Sequence, residues 1–433
     1  MTDTRTRAFG ATTIDKRSVA AGAIGNMLEW YDFAVFGFFA AAIGAQFFPG
    51  DDKIAGLLNT FAVFAVGYLA RPIGGVLFGI VGDRIGRRRA LQVSVLAMAV
   101  PTSLIAVLPT HAEIGIWAAV LLVVLRLAQG FSVGGEFIGS ISYLVEVAPP
   151  RRRGLYGSFA VFSAVGGMLL GSAVATGLHL ALAPEAIAAW GWRLPFLGGI
   201  VLGVVGWNLR RRLHETPAFA AIEAAGGTVR HPELQALRRM PVAIVQAGAM
   251  VLLLGVGIYT LFVWMPTYLN HIVTPAVPHA LIVNTLAMIL MIALMPVAGA
   301  AADRFGYKPV LIAAMLATAV LVYPLFVWID TASLAAMVVA MIVFAVVNGF
   351  LQGPTPVALA AQFPVEIRFS AMAVGYNTSL ALFGGTAPLV ATWLISKTGN
   401  LASPAWYVAA IAVLSAVATL TLKGRYHLDG DAG

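Results

Sequence analysis

The chain has 433 residues, of which 60% are hydrophobic and only 11% charged, with a net charge of +8 and a mean hydropathy of +0.89. A typical soluble domain carries about 25% charged residues, so an ordinary soluble enzyme, a disordered chain and a secreted disulfide scaffold are excluded. There are no cysteines, hence no disulfides, thiolate metal sites or iron–sulfur clusters.

In chain order, the first 18 residues are polar and hold Arg5, Arg7, Lys16 and Arg17. The apolar stretch over about 19–48 is too long for a signal-peptide core and lacks an evident cleavage site, so it reads as an uncleaved first span. Further apolar stretches follow at about 54–81, 90–108, 114–147, 155–182, 194–209, 241–269, 280–302, 309–329, 333–362, 370–396 and 404–422. At roughly 20 residues per crossing helix, these predict an all-α membrane protein with twelve transmembrane helices. The polar segment 210–240, which opens with Arg210-Arg211-Arg212 and contains Gly226-Gly227, separates a six-helix N-terminal half, 1–209, from a C-terminal half, 241–433.

With the N-terminus in the cytoplasm, the inner segments hold 22 Lys and Arg, the outer loops only Lys53, Arg193 and Lys397, and the spans Arg71 and Arg126. This asymmetry predicts cytoplasmic termini and a cytoplasmic 210–240 linker. It also disperses the basic residues over many loops, which argues against nucleic acid as a partner and for the lipid bilayer. Gly79, Asp83, Arg84 and Gly86 recur as Gly299, Asp303, Arg304 and Gly306. Gln129-Gly130-Phe131 is matched by Asn348-Gly349-Phe350, and Pro149 with Arg153 by Pro364 with Arg368. Two pseudo-symmetric halves of the same orientation are the arrangement of carriers whose halves rock about a central site.

The run from Gly79 through Asp83, Arg84, Gly86, Arg87, Arg88 and Arg89 resembles the signature of the major facilitator superfamily. An acid near a helix end can hold arginines or a helix N-terminus in one state and release them in another. Gly79, Asp83, Arg84, Gly86, Arg87, Arg88, Arg153, Asp303, Arg304 and Arg368 are therefore candidate gating residues. The second copy departs from the first at Phe305, Tyr307 and Lys308. The plainer alternative is a charged turn that only orients the protein.

Three stretches narrow the resemblance: Gly25 to Phe33 (GNMLEWYDF), Arg71 to Gly75 (RPIGG) and Arg126 to Glu136 (RLAQGFSVGGE). With Trp192 to Phe196 (WRLPF) and Glu215 to Phe219 (ETPAF), they resemble the metabolite:proton symporter family over essentially the whole chain. The resemblance implies a twelve-helix carrier at the bacterial inner membrane, working as a monomer, with H+ as coupling ion and no cofactor. Members of that family move citrate, 2-oxoglutarate, shikimate, or proline and betaines with protons.

Charges at bilayer depth are functional candidates because they are expensive there. There are five: Glu29, Asp32, Arg71, Arg126 and Glu136. Glu29 and Asp32 stand three residues apart on neighbouring faces of one helix and are not expected both to stay ionised in a dry site. Three acids against two arginines predict one acid free to carry a proton, so Asp32, Glu29 and Glu136 are the proton-coupling candidates. By the resemblance, Asp32 and Arg126 match the acid–arginine pair of proton-coupled sugar porters, and Glu136 the additional fourth-span acid of phosphate:proton symporters. Each has a structural alternative: permanent pairing for Asp32, helix packing for Glu29, gate scaffolding for Glu136, a helix cap for Arg71.

The substrate candidates are Arg126, Arg71, Gln129, Tyr259, Trp264, Asn348, Gln352, Tyr376 and Asn377, and Pro354-Thr355-Pro356 is the candidate hinge. The sequence lacks the phosphate loop of an ATP-driven pump and the nucleophile elbow of a hydrolase, so no enzyme is expected. Two arginines as the only fixed cations favour import of a small organic carboxylate with H+. A proline- or betaine-type osmolyte is the alternative, its cation resting on an aromatic face such as Trp264. The tail of about ten residues after the last span lacks the long coiled coil of the osmosensing branch and counts mildly against that alternative. An exporter of the same fold and a transport-like sensor are further alternatives.

Overall fold

The computed structural model describes residues 16–75, 87–132, 135–211 and 232–422. All regular structure among them is helical. In lipid the backbone has no water to bond to, so an apolar stretch must satisfy its own peptide groups.

The crossing helices are numbered here in chain order. The first, α1, is bent, with Ala23–Phe38 and Ala40–Phe47 meeting at 64°. It is followed by α2 (Lys53–Gly75), α3 (Arg87–Val107), α4 (Ile116–Val147), α5 (Pro150–Ala181) and α6 (Leu194–Arg211). The second half contains α7 (Pro241–Ile272), α8 (Ala280–Phe305), α9 (Tyr307–Ile329), α10 (Leu334–Ala360), α11 (Ile367–Thr398) and α12 (Ser403–Thr421). Among the described residues nine of these are long and apolar enough to cross a bilayer; bent α1 is a tenth, and α3 and α6 take the remaining two places. The protein is thus an all-α membrane protein of two six-helix halves. Between them, Pro232–Arg239 forms a short helix in the predicted linker.

Several helices are irregular where the sequence suggested continuity. In the fourth span a helix starts at Glu136, behind a bend at Gly135. In α7 the backbone widens to π geometry at Tyr259–Trp264 and Tyr268–Ile272, on either side of Pro266, and α11 does so at Leu380–Gly384. Such widened turns are frequent at functional sites. Helix α10 breaks after Gln352 and resumes at Thr355, where Pro354 and Pro356 remove backbone donors.

Within the first half α1 packs on α5, α3 on α6 and α2 on α4; within the second, α8 packs on α10 and α9 on α12. The halves meet along α5–α8 and α2–α11. These contacts are equivalent under the sequence repeat, which equates α2 with α8 and α5 with α11. At one end of the α5–α8 seam the backbones nearly touch: a Cβ added at Gly154 would lie 2.4 Å from the Gly299 carbonyl oxygen. Small residues permit such approach between membrane helices. Further along, Ser172 and Thr176 hydroxyls meet that of Thr285 at 2.8 and 2.9 Å, and Asn284 Nδ2 donates to Ser172 at 3.1 Å. Large apolar side chains such as Trp117, Val245, Val320 and Leu420 are exposed on the bundle's outside, as a lipid-facing surface requires.

Candidate functional site

The first half holds two buried acid–arginine pairs. Arg71 Nη2 of α2 donates to Glu29 Oε1 of α1 at 2.5 Å, both side chains almost fully buried. One turn along α1, Asp32 Oδ2 lies 3.6 Å from Arg126 Nη1 of α4, an ion pair too long for a hydrogen bond. Glu29 and Asp32, on neighbouring faces of α1, thus each face their own arginine. Glu136 stands in the first turn of the restarted fourth span.

Packing fixes Arg126. Its guanidinium lies over Phe33 and Phe36 at 4.6 and 4.5 Å from the ring centroids, and its Nη1 donates to Gln129 Oε1 at 2.8 Å. Gln129 Nε2 in turn donates to Thr102 Oγ1 of α3 at 2.9 Å. The close passage of α2 and α4 depends on Gly130, where an added Cβ would fall 2.0 Å from the Gly67 carbonyl oxygen.

Arg71 sits differently. Its guanidinium lies 5.8 Å from the Trp30 ring, 5.5 Å from Phe33 and 5.2 Å from Tyr68. The second half closes over these rings. Tyr259 stacks on Trp30 with an interplanar angle of 7° and bonds its hydroxyl to that of Tyr68, while Tyr376 packs against Phe137 with centroids 5.0 Å apart. Arg71 Nε and Nη1, Trp30 Nε1 and the Tyr376 hydroxyl are buried without a hydrogen-bond partner. All four can donate, so this neighbourhood is short of an acceptor.

The other second-half candidates are dispersed. Trp264 Nε1 donates to Thr392 Oγ1 at 2.9 Å and its ring stacks on Tyr268, so it ties α7 to α11 instead of facing the arginines. Asn348 donates to its own helix at Phe344, and its Oδ1 lies where a Cβ on Gly257 would meet it at 2.9 Å. Gln352 and Asn377 are buried. Trp30, Tyr68 and Phe137 were missed in the sequence. Trp30 stands inside the motif that gave Glu29 and Asp32, and Tyr68 one helical turn before Arg71, a spacing that does carry a signal.

At the end of the bundle carrying Arg153 and Arg304, two contacts cross the halves. The Asp303 carboxylate accepts from the Gly154 and Leu155 amides at 2.6 and 2.9 Å, at the N-terminus of Arg153–Ala181. Arg368 Nη1 donates to Glu146 Oε1 at 2.8 Å. Arg153 begins the capped helix, whereas Arg304 is exposed and lies over Phe305 at 5.2 Å. Gly79, Asp83, Arg84 and Gly86 lie outside the described residues; Arg87 and Arg88 start α3.

Known proteins share both sequence and fold. The sugar (and other) transporter family matches residues 19–227 and the Major Facilitator Superfamily residues 274–430. A glycine betaine/proline/ectoine/pipecolic acid transporter of Dickeya dadantii (strain 3937) is 37% identical over 419 residues, covering 94% of this chain and 83% of that protein. The proline/betaine transporter of Escherichia coli (strain K12) is 34% identical over 420 residues, with the same coverage of 94% and 83%. A crystal structure of a D-xylose–proton symporter superposes with a TM-score of 0.75 at 21% identity, covering 95% of this chain and 99% of that one. The xylose transporter XylE from E. coli, in a partially occluded inward-open conformation, gives 0.74 at 19% identity over 93% and 96%. By its close relatives along nearly its whole length, and by its fold, the chain belongs to the major facilitator superfamily of membrane transporters.

Proposed function

We propose that the chain is a proton-driven importer of a small zwitterionic osmolyte, of the proline and betaine kind, at the bacterial inner membrane. The observation that carries this is the set of unsatisfied donors around Arg71, walled by aromatic rings. A zwitterion's carboxylate would accept from Arg71, Trp30 and Tyr376. Its ammonium would rest against the faces of Trp30, Tyr68 and Tyr259. The expectation of a carboxylate substrate rested on the two arginines as the only fixed cations, but each of them faces an acid, Glu29 or Asp32. A net-neutral zwitterion leaves that balance intact, whereas a dicarboxylate would bring excess negative charge into a dry site. The names of the relatives in Dickeya dadantii and E. coli point the same way.

In this reading Asp32 carries the proton. Protonation from outside releases Arg126, substrate enters between the halves, and the Asp303 and Arg368 contacts part to open the basic end toward the cytoplasm. The 22-to-3 distribution of basic residues supports that orientation. H+ is the coupling ion, no cofactor is used, and one chain suffices.

The test is uptake into proteoliposomes under an imposed pH gradient, comparing labelled proline and glycine betaine with 2-oxoglutarate and citrate. Gradient-dependent accumulation of the zwitterions is expected. Accumulation of either carboxylate without the zwitterions would return the carboxylate reading, and gradient-driven extrusion in the cellular orientation would make the chain an exporter.

A further inference from the structure

Both Asp32 carboxylate oxygens are buried, and the side-chain hydroxyl beside them, that of Thr102, is given to the Met98 carbonyl at 2.7 Å. An ionised carboxylate at that depth needs donors, and an unmet buried acceptor usually marks a bound water or ion. A cavity of about 20 Å³ opens beside it, above the roughly 10–15 Å³ that a cavity needs on this measure to admit one water. Its walls come from α1 (Tyr31, Asp32), α3 (Ala99, Thr102) and α6 (Gly199, Gly203). No second-half residue lines it, and neither do Trp30, Tyr68 or Arg71.

Thr102 supplies the second polar wall. Its hydroxyl donates to the Met98 carbonyl at 2.7 Å and accepts from Gln129 at 2.9 Å, leaving one lone pair for a further donor. The Tyr31 hydroxyl is tied to the Pro195 carbonyl at 3.0 Å. The charged and titratable neighbours of Asp32 are Arg126 from α4 and Tyr31 on its own helix; the α3 and α6 walls add none. The glycines fix the cavity's size. A Cβ at Gly199 would meet Thr102 Cγ2 at 2.7 Å, and one at Gly203 would meet Ala99 Cβ at 2.5 Å.

We propose that this pocket is a water site inside the first half, between α1, α3 and α6, and that its water is the immediate proton donor and acceptor for Asp32. A hydronium there passes one proton to an Asp32 oxygen and is left as water; release runs in reverse. The proton thus reaches its carrier on the side of α1 away from the substrate rings. The inference rests on Asp32 being the carrier.

The experiment narrows the pocket with Ala99→Val and, as a milder filler, Val95→Ile, in the full chain reconstituted in liposomes. X-ray hydroxyl-radical footprinting reads bound water directly. Tyr31 and Leu28, which line the cavity, should be modified more than equally buried Phe33, and the excess should shrink in both variants. Proton-driven zwitterion uptake should fall by about tenfold in Ala99→Val, while counterflow exchange, which needs no net proton movement and reports a folded carrier, is retained. Tyr31 and Leu28 labelled no more than Phe33 would overturn the water site. Fillers that remove the labelling yet leave proton-driven uptake intact would overturn its proton role. Asp32→Asn, run in parallel, separates the two readings: intact gradient-driven uptake in that variant sinks the carrier assignment and this inference with it. Lost uptake in Asp32→Asn with unaffected fillers sinks only the inference.

Discussion

Arg71 and Glu29 form a salt bridge at 2.5 Å between α2 and α1, with side chains 2% and 6% exposed. Breaking one member of such a pair leaves a buried charge uncompensated, at about 3–5 kcal/mol, whereas apolar replacement of both is often neutral. Glu29→Gln should therefore lower the midpoint of thermal unfolding in detergent markedly. Glu29→Leu with Arg71→Met should recover most of that loss without recovering transport. Two variants of equal stability would show that the pair carries little structural weight.

Asp32→Asn removes the ionisable group but keeps nearly the same shape. Net accumulation down a pH gradient should disappear while exchange of labelled for unlabelled substrate persists. The check is to measure both in one proteoliposome preparation. Loss of exchange as well would place Asp32 in substrate binding instead.

The Asp303 carboxylate on the Gly154 and Leu155 amides is a helix cap that crosses the two halves. Such a cap is worth about 1 kcal/mol, or about fivefold in an opening equilibrium. Asp303→Ala should speed labelling of a Val145→Cys reporter beneath this gate. The chain has no cysteine of its own, so the signal is clean. Glu146→Gln should have the smaller effect, because the Glu146 side chain is 42% exposed and exposed ion pairs contribute about 0–1 kcal/mol.

Gly130→Ala tests the seating of Arg126. The added methyl cannot fit against the Gly67 carbonyl, so α2 and α4 must separate. Overpacking of this kind costs about 1–3 kcal/mol, and the Arg126–Asp32 distance should change with it. A lowered unfolding midpoint together with weakened proton coupling is expected; Gly177→Ala, with open space around it, serves as the control.

A pH effect separate from transport is expected in the loop before α4. Glu113 accepts from the Thr110 amide at 2.7 Å and its hydroxyl at 3.0 Å. These bonds hold its carboxyl below the usual carboxylate range. A lowered folded value means the turn is fully held at neutral pH and released as pH falls through it. The protection of the Glu113–Gly115 amides against hydrogen exchange, relative to the intrinsic rate at each pH, should fall on acidification, and Glu113→Gln should show weaker protection at neutral pH.

Hydropathy made the twelve-helix plan legible because lipid leaves the backbone few options. The sequence also marked Glu29, Asp32, Arg71 and Arg126, since charge at that depth is rare. Their partners were not legible. Glu29 and Asp32 are neighbours along the chain, yet α2 and α4 bring one arginine to each, a result of helix packing that no local spacing encodes. Trp264, by sequence a candidate aromatic face for a substrate cation, lies in a widened turn of α7 and donates to Thr392, a direction that no sequence pattern encodes. Neither the restart of α4 at Glu136 nor the 64° bend in α1 followed from composition.

Both buried salt bridges lie wholly within the first half, and the second half meets them through the uncharged rings of Tyr259 and Tyr376. In the proposed stroke ring parts from ring at the centre, and the opposite charges that separate between the halves are those of Arg368 and Glu146 at the gate, where Glu146 is 42% exposed. In the proposed site, reshaping the faces on α7 and α11 would change the fit to the rest of the cargo while Arg71 and Trp30 keep their hold on its carboxylate.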